Sequence, residues 1–395
     1  MRAGLYLGLV QWLFAATWTI YVAFLPQLAA AAGIERKYVI WLLLLDQLLF
    51  AVMDLAMGVA ADKVAAGMRR LSGWIVMITA ISCIAFLLLP QIGGSAVLFT
   101  ALVIIWSITS SVLRAPPMVL LSKYAPPAAT PWLAQLALLG LGVAGAFAPL
   151  LTTSLRGLDP RAPFAVASIG LLVAVLGLKW CERALADNAA QPAAATPANE
   201  ARAWGAGLVT AVALLALGFQ IHTSLNSAPA YARLATPDLM GWLMPLFWVG
   251  FSLAIVCVSW LARRLTAARV LVFGALLGAA ALAVAGWATQ LPLLIAAQLA
   301  AGIAWALVVG CAVPAAMAAG RTGREGRNTG LVFSMLAVAA FVRLSLVAAE
   351  LNKTPEATIV LVWLPALLWV AGAVLCAFAA WRADRRAGEP APQAL

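Results

Sequence analysis

Five ionisable side chains stand inside long apolar stretches of this chain: Asp46, Asp54, Arg114, His222 and Arg343. A charge held in hydrocarbon is costly, so such residues face a partner or a hydrated cavity. The chemistry open to them is ion pairing, proton transfer and solute binding. Their depths match in twos. Asp54 lies eight residues before Asp62 and Arg114 nine before Lys123, which puts both roughly 12–14 Å inside one boundary at ~1.5 Å per helical residue. Asp46 follows Lys37 by nine residues and Arg343 precedes Lys353 by ten, a matching depth from the opposite boundary.

A second group is polar but uncharged. Gln220, His222, Thr223, Ser224 and Asn226 fall within seven residues, with Gln220, Thr223 and Asn226 roughly aligned on one helix face. They are candidate contacts for a solute in a hydrated cavity, or else the end of a helix reaching the wet interface. Gln11, Gln47, Gln135 and Gln298 join them as candidates, because an amide facing lipid leaves its hydrogen bonds unmade. The sixteen tryptophans read mostly as interfacial belt and packing, with Trp12, Trp106, Trp248 and Trp305 as further candidates to line such a cavity. A lone histidine excludes a His-based metal cluster, and Cys83, Cys181, Cys257, Cys311 and Cys376 show no metal or redox spacing. No metal or cofactor is expected. No G-x-x-x-x-G-K-[ST] sequence is present, so nucleotide-driven pumping within this chain is not expected.

The elements that must hold these groups follow from composition. The chain has 395 residues, 65% of them hydrophobic and 10% charged, far below the charge that a soluble surface of this length requires. The apolar residues come in blocks of roughly twenty, long enough to cross a core about 30 Å thick as helices. Strands of a β-barrel would alternate, and these blocks do not. Twelve spans are predicted at 5–31, 38–61, 72–90, 95–121, 131–152, 162–181, 204–227, 239–262, 269–289, 291–318, 329–350 and 357–381. The first block, from about Leu5 to Leu28, is too long for a signal-peptide core and is read as a span.

The net charge of +11 is spread over short loops, as the positive-inside rule requires, and gives no nucleic-acid surface. With Met1 inside, one side collects only Arg36, Lys37, Arg156, Arg161, Arg233 and Lys353. Most other Lys and Arg, among them Lys63, Arg69, Arg70, Arg263 and Arg269, fall on the side of Met1. Both termini are therefore expected in the cytoplasm. Residues 182–203, rich in Ala, Pro, Asn and Gln, read as a flexible cytoplasmic linker between a six-helix bundle at 1–181 and another at 204–383, with a disordered tail at 384–395. An internal echo supports two halves: Lys63 and Arg69 recur as Arg263 and Arg269, each two hundred positions on.

Gly58, Asp62 and Lys63, followed by Gly67, Arg69 and Arg70, resemble the signature loop between spans two and three of the major facilitator superfamily. The usual form has one residue between the basic residue and the second glycine; here Val64, Ala65 and Ala66 stand there. That longer loop, with Asp54 four residues before Gly58, is similar to the glycoside–pentoside–hexuronide cation symporters. Their second intramembrane acid in this span is replaced by Phe50. The superfamily resemblance extends over the whole chain through span count, linker and repeat.

The resemblance implies an all-α membrane protein with twelve transmembrane helices in two pseudo-symmetric six-helix bundles around a central cavity. It implies a secondary active transporter that moves a small solute by alternating access, proton-coupled in this reading and monomeric in a bacterial inner membrane. Asp54 and Arg114, both in the first bundle, are expected to pair as a strut or a proton-linked switch. Spans two and eleven are neighbours in that fold, so Asp46 and Arg343 are expected to tie the bundles on the outer side and to part when the transporter opens outward. Asp62 is expected to latch one bundle to the other by accepting bonds from a helix N-terminus or from arginines. Two other readings stay open: a membrane-embedded transferase, and a non-transporting assembly or sensor protein of the same fold.

Overall fold

The computed structural model describes residues 1–67, 71–187, 205–320 and 323–387. Arg69 and Arg70 of the loop motif, residues 188–203 of the expected linker and most of the expected tail lie outside the described residues.

Among the described residues, twelve helical segments are long and apolar enough to cross a membrane. They are α1 (Arg2–Ala31), α2 (Arg36–Gly67), α3 (Leu71–Gln91), α4 (Ala96–Tyr124), α5 (Thr130–Ser154) and α6 (Arg161–Ala186) in the first half. The second half holds α7 (Gly207–Ala232), α8 (Pro237–Ile255), α9 (Ala267–Trp287), α10 (Leu291–Ala319), α11 (Glu325–Ala348) and α12 (Pro355–Arg382). Among the described residues there is no strand. Helices are the form expected here, because a helix satisfies its own backbone groups where no water can.

Several boundaries differ from the sequence reading, and two of the differences change what a residue does. The sixth span continues to Ala186, so Glu182 belongs to a helix and not to the linker. Its carboxylate is buried and accepts from Leu71 N (2.9 Å), Ser72 N (3.2 Å) and the Ser72 hydroxyl. It caps the start of α3, whose first N–H groups have no partner within their own helix. The eighth span is not continuous: it stops at Ile255, and a short helix resumes over Val258–Leu265.

The packing repeats between halves. α1 lies along α5 and α6, and α7 lies correspondingly along α11 and α12. The main contacts between halves are α2 with α11 and α5 with α8. Exchanging each helix for its counterpart six positions away turns the first contact into the second, as a twofold repeat demands.

The apolar core shows where the halves are joined. The largest cluster contains Leu7, Met57 and Leu138 from the first half together with Phe251, Val313 and Phe333 from the second. These lie towards the face on which α1 begins, here called the terminal face. Towards the opposite, far face the core divides. One cluster, around Tyr21, Phe86 and Trp106, belongs to the first half alone, and another, around Tyr231 and Leu294, to the second alone. The two halves thus share a core near the terminal face and have separate cores near the far face.

Candidate functional site

Helix α2 carries three acids at eight-residue intervals, and each step turns the helix by about 80°. The three consequently meet three different environments.

Asp62, nearest the terminal face, points at α11. Its oxygens accept from the backbone N–H groups of Gly326 (2.7 Å) and Arg327 (2.9 Å), in the first turn of that helix. A carboxylate suits this position because the unsatisfied N–H groups there carry a partial positive charge. Gly58 makes the approach close enough: a Cβ on it would strike the Gly326 backbone, and a Cβ on Gly326 would strike Gly58. Lys63 is exposed, and Gly67 ends α2 in open space.

Asp54 is fully buried and meets Arg114, with Nη1 to Oδ2 at 2.5 Å. Arg114 reaches it from a break in α4. Pro116 and Pro117 lack the N–H groups that would continue the helix, and the chain passes through a 3₁₀ turn at Ser111–Leu113. The guanidinium also lies 4.6 Å from the centre of the Phe50 ring. The α11 glycine Gly330 packs on the backbone of Asp54, so this pair adjoins the contact between halves.

Asp46 is fully buried and meets no cation among the described residues. Tyr21 donates its hydroxyl to Oδ2 at 2.7 Å and Ser107 donates to Oδ1 at 2.6 Å. Aromatic rings surround them: Tyr21 and Trp106 centroids are 4.6 Å apart, Trp18 and Trp106 5.9 Å, Trp18 and Phe50 5.5 Å. The expected Asp46–Arg343 pair is not present. Sixteen residues separate Asp46 from Asp62, a rotation of about 160°, so Asp46 turns away from α11 and into the first half. Arg343 is left with its Nε buried and without a hydrogen-bond partner.

Three amide side chains share one unplanned task. A proline inside a helix deprives the carbonyl four residues earlier of its donor. Gln11 donates to Leu113 O at 2.6 Å, four residues before Pro117. Gln135 donates to Gly310 O at 3.0 Å, four before Pro314. Asn226 donates to Leu361 O at 2.7 Å, four before Pro365. Gln11 and Gln135 are buried in this role, so the sequence reading of Gln11 as a cavity residue is replaced by one of bracing α4. Gln135 does more, since its Oε1 accepts from Ser259 N at 2.9 Å in the short helix after α8.

The polar end of α7 is a π turn over His222–Asn226. His222 Nε2 lies 2.9 Å from Gln298 Oε1, Gln298 Nε2 donates to Ser227 Oγ at 3.1 Å, and Ser227 donates back to His222 O at 2.9 Å. This closed circuit leaves His222 with no acid partner. Thr223 bonds the Phe219 carbonyl of its own helix at 2.9 Å. Gln220 is half-buried and Gln47 buried. His222 and Asn226, with Arg233, Asn352 and Thr358, line a cavity of about 280 Å³ between α7, α9 and α12. Gln220, Thr223, Gln11 and Gln47 do not line it. Sequence reasoning missed Tyr21, Ser107, Ser227 and Ser259, whose hydroxyl or backbone partners are set only by folding, and missed Glu182 because its surroundings in sequence read as a linker.

Two six-helix halves, joined near one face and parted near the other around buried charges, define a polytopic membrane transporter. The sequence profile of the Major Facilitator Superfamily matches residues 7–342, and the chain belongs to that superfamily. No curated protein sequence matches it. Among solved structures it is similar to the human organic anion transporter MFSD10 (TETRAN), at 18% identity and a TM-score of 0.65, covering 94% of this chain and 98% of that one. A bacterial homologue of the iron transporter ferroportin in an outward-facing state gives 15% identity and a TM-score of 0.71, over 97% of this chain and 100% of that one. FucP in its outward conformation gives 14% and 0.65, over 96% and 98%. At these identities the likeness is one of fold.

Proposed function

We propose that this chain is a secondary active transporter that moves a small solute by alternating access, driven by a proton gradient. The observation that carries the reading is the division of the core: one shared cluster near the terminal face, and two separate clusters near the far face. Small contacts join the halves where they meet. Asp62 on the first turn of α11, Gly58 against Gly326, and Gln135 on Gly310 and Ser259 are polar or backbone contacts that water can replace.

The terminal face is assigned to the cytoplasm by the excess of Lys and Arg in its loops, with both termini there. The bacterial inner membrane and a monomeric state complete the proposal. Two features favour an organic anion as the solute. Arg114 is neutralised by Asp54, whereas Arg343 has no acidic partner among the described residues. The similar human protein MFSD10 is described as an organic anion transporter. A transferase is less well supported, because the single histidine is bonded to Gln298 and Ser227 with no carboxylate to orient it as a base.

The test is uptake into proteoliposomes of labelled organic acids, sugars and amines, with and without an inward pH gradient. Accumulation that a protonophore abolishes is expected for at least one organic acid. Chemical conversion of a solute without flux would support a transferase instead, and neither flux nor conversion would leave the non-transporting role.

A further inference from the structure

The three acids of α2 are neutralised in three ways, and the third way is incomplete. Asp62 has the N-terminus of α11, and Asp54 has Arg114. Asp46 has two hydroxyls and no positive charge, though it is as completely buried as Asp54. Charged groups near its packing partners are otherwise engaged or absent. On α1 the facing titratable group is Tyr21 itself; on α4 Arg114 is held by Asp54; on α11 Arg343 makes no bond to it. A carboxylate buried among Tyr21, Phe50 and Trp106 without a counter-charge is the costliest state available to this helix. A carboxylic acid is not.

We propose that Asp46 is a proton-binding site, holding its proton in the conformation seen here and releasing it when the seam admits water. The geometry accommodates both states. In the neutral state one oxygen donates its O–H to the Ser107 oxygen, while the other accepts from Tyr21. On release the proton passes to water as hydronium, and the carboxylate left behind accepts from both hydroxyls. Trp18 is the partly exposed member of the aromatic wall, whereas Tyr21, Phe50 and Trp106 are buried, so Trp18 marks the side by which water reaches the acid. The physiological role of this proton, as the coupling ion, rests on the proton-driven reading above; the site itself rests on the burial and the partners.

The assignment is tested by infrared difference spectroscopy of the full chain in lipid, titrated in sodium-free buffer without any solute. The carbonyl stretch of a buried protonated carboxylic acid is expected at neutral pH. Asp46→Asn should lose that band, Asp54→Asn should keep it, and Tyr21→Phe should shift it upward because the carbonyl loses a donor. Asp46→Glu, which retains an acid, should restore a band if the loss in Asp46→Asn is chemical and not a failure to fold. A band that persists in Asp46→Asn, or a wild-type protein with none at neutral pH, overturns the assignment. No solute is moved in this measurement, so its failure leaves the transport reading standing.

Discussion

Gln135 of the first half donates its amide to the Gly310 carbonyl of the second, the carbonyl that Pro314 leaves without a partner. The same amide accepts from Ser259 N, an N–H freed by the break after α8. One side chain therefore satisfies two backbone groups that the other half cannot satisfy by itself.

Removing that amide should loosen closure at the terminal face. Gln135→Ala leaves a buried carbonyl and a buried N–H unpaired, at about 1–3 kcal/mol for each group that water does not reach. Spin labels at Ala128 and Arg263, exposed on the terminal face in opposite halves, report the change. The distance distribution between them should shift towards longer separations in Gln135→Ala. An unchanged distribution would show that the amide does not hold the face closed.

Pro314 supplies the control. Pro314→Ala restores an N–H four residues after Gly310, so the carbonyl regains a partner inside α10. Gln135→Ala should then cost less in the Pro314→Ala background than in the wild type, a coupling of about 1 kcal/mol. A double-mutant cycle on the labelled protein measures it. Strict additivity of the two changes would mean that Gln135 and Pro314 act independently.

Much of this architecture can be read from the residue string, for a physical reason. Span positions depend on local hydropathy, and hydropathy survives folding unchanged. The carbonyls of Leu113, Gly310 and Leu361 are equally legible, because each stands four places before a proline. What distant amide arrives to satisfy them depends on helix packing, so the bracing roles of Gln11, Gln135 and Asn226 could not be read from the sequence, although Asn226 also lines the cavity between α7, α9 and α12. Matching depths set Asp54 level with Arg114, and the two pair; they also set Asp46 level with Arg343, and those two do not pair in this far-face-parted conformation. Depth fixes one coordinate of a side chain, while partner choice needs the direction in which its helix faces. Glu182 was lost to composition, since a run rich in Ala and Pro begins just beyond it.

Glu182 gives a direct test of that difference. A linker residue would tolerate any substitution, whereas a carboxylate on Leu71 N and Ser72 caps α3. Glu182→Ala should lower stability by about 2 kcal/mol, the upper range for losing a helix cap. The midpoint of thermal unfolding in detergent, followed by tryptophan fluorescence, should fall. A midpoint equal to that of the wild type would return Glu182 to the linker.

The Asp54–Arg114 pair makes the sharpest prediction about charge. With Asp54 fully buried, deleting the guanidinium alone leaves a carboxylate without compensation, and breaking a buried pair from one side costs roughly 3–5 kcal/mol. Removing both charges together leaves two neutral groups that still bond to one another. Arg114→Gln should therefore be strongly destabilised, and Asp54→Asn with Arg114→Gln should recover most of the loss. Unfolding midpoints decide between a strut and a switch only when they are set beside uptake under a pH gradient. A strut gives a double variant that is stable and still transports; a switch gives one that is stable and exchanges solute but no longer accumulates it. If the double variant were less stable than Arg114→Gln alone, the two side chains would not be acting as a neutralised pair.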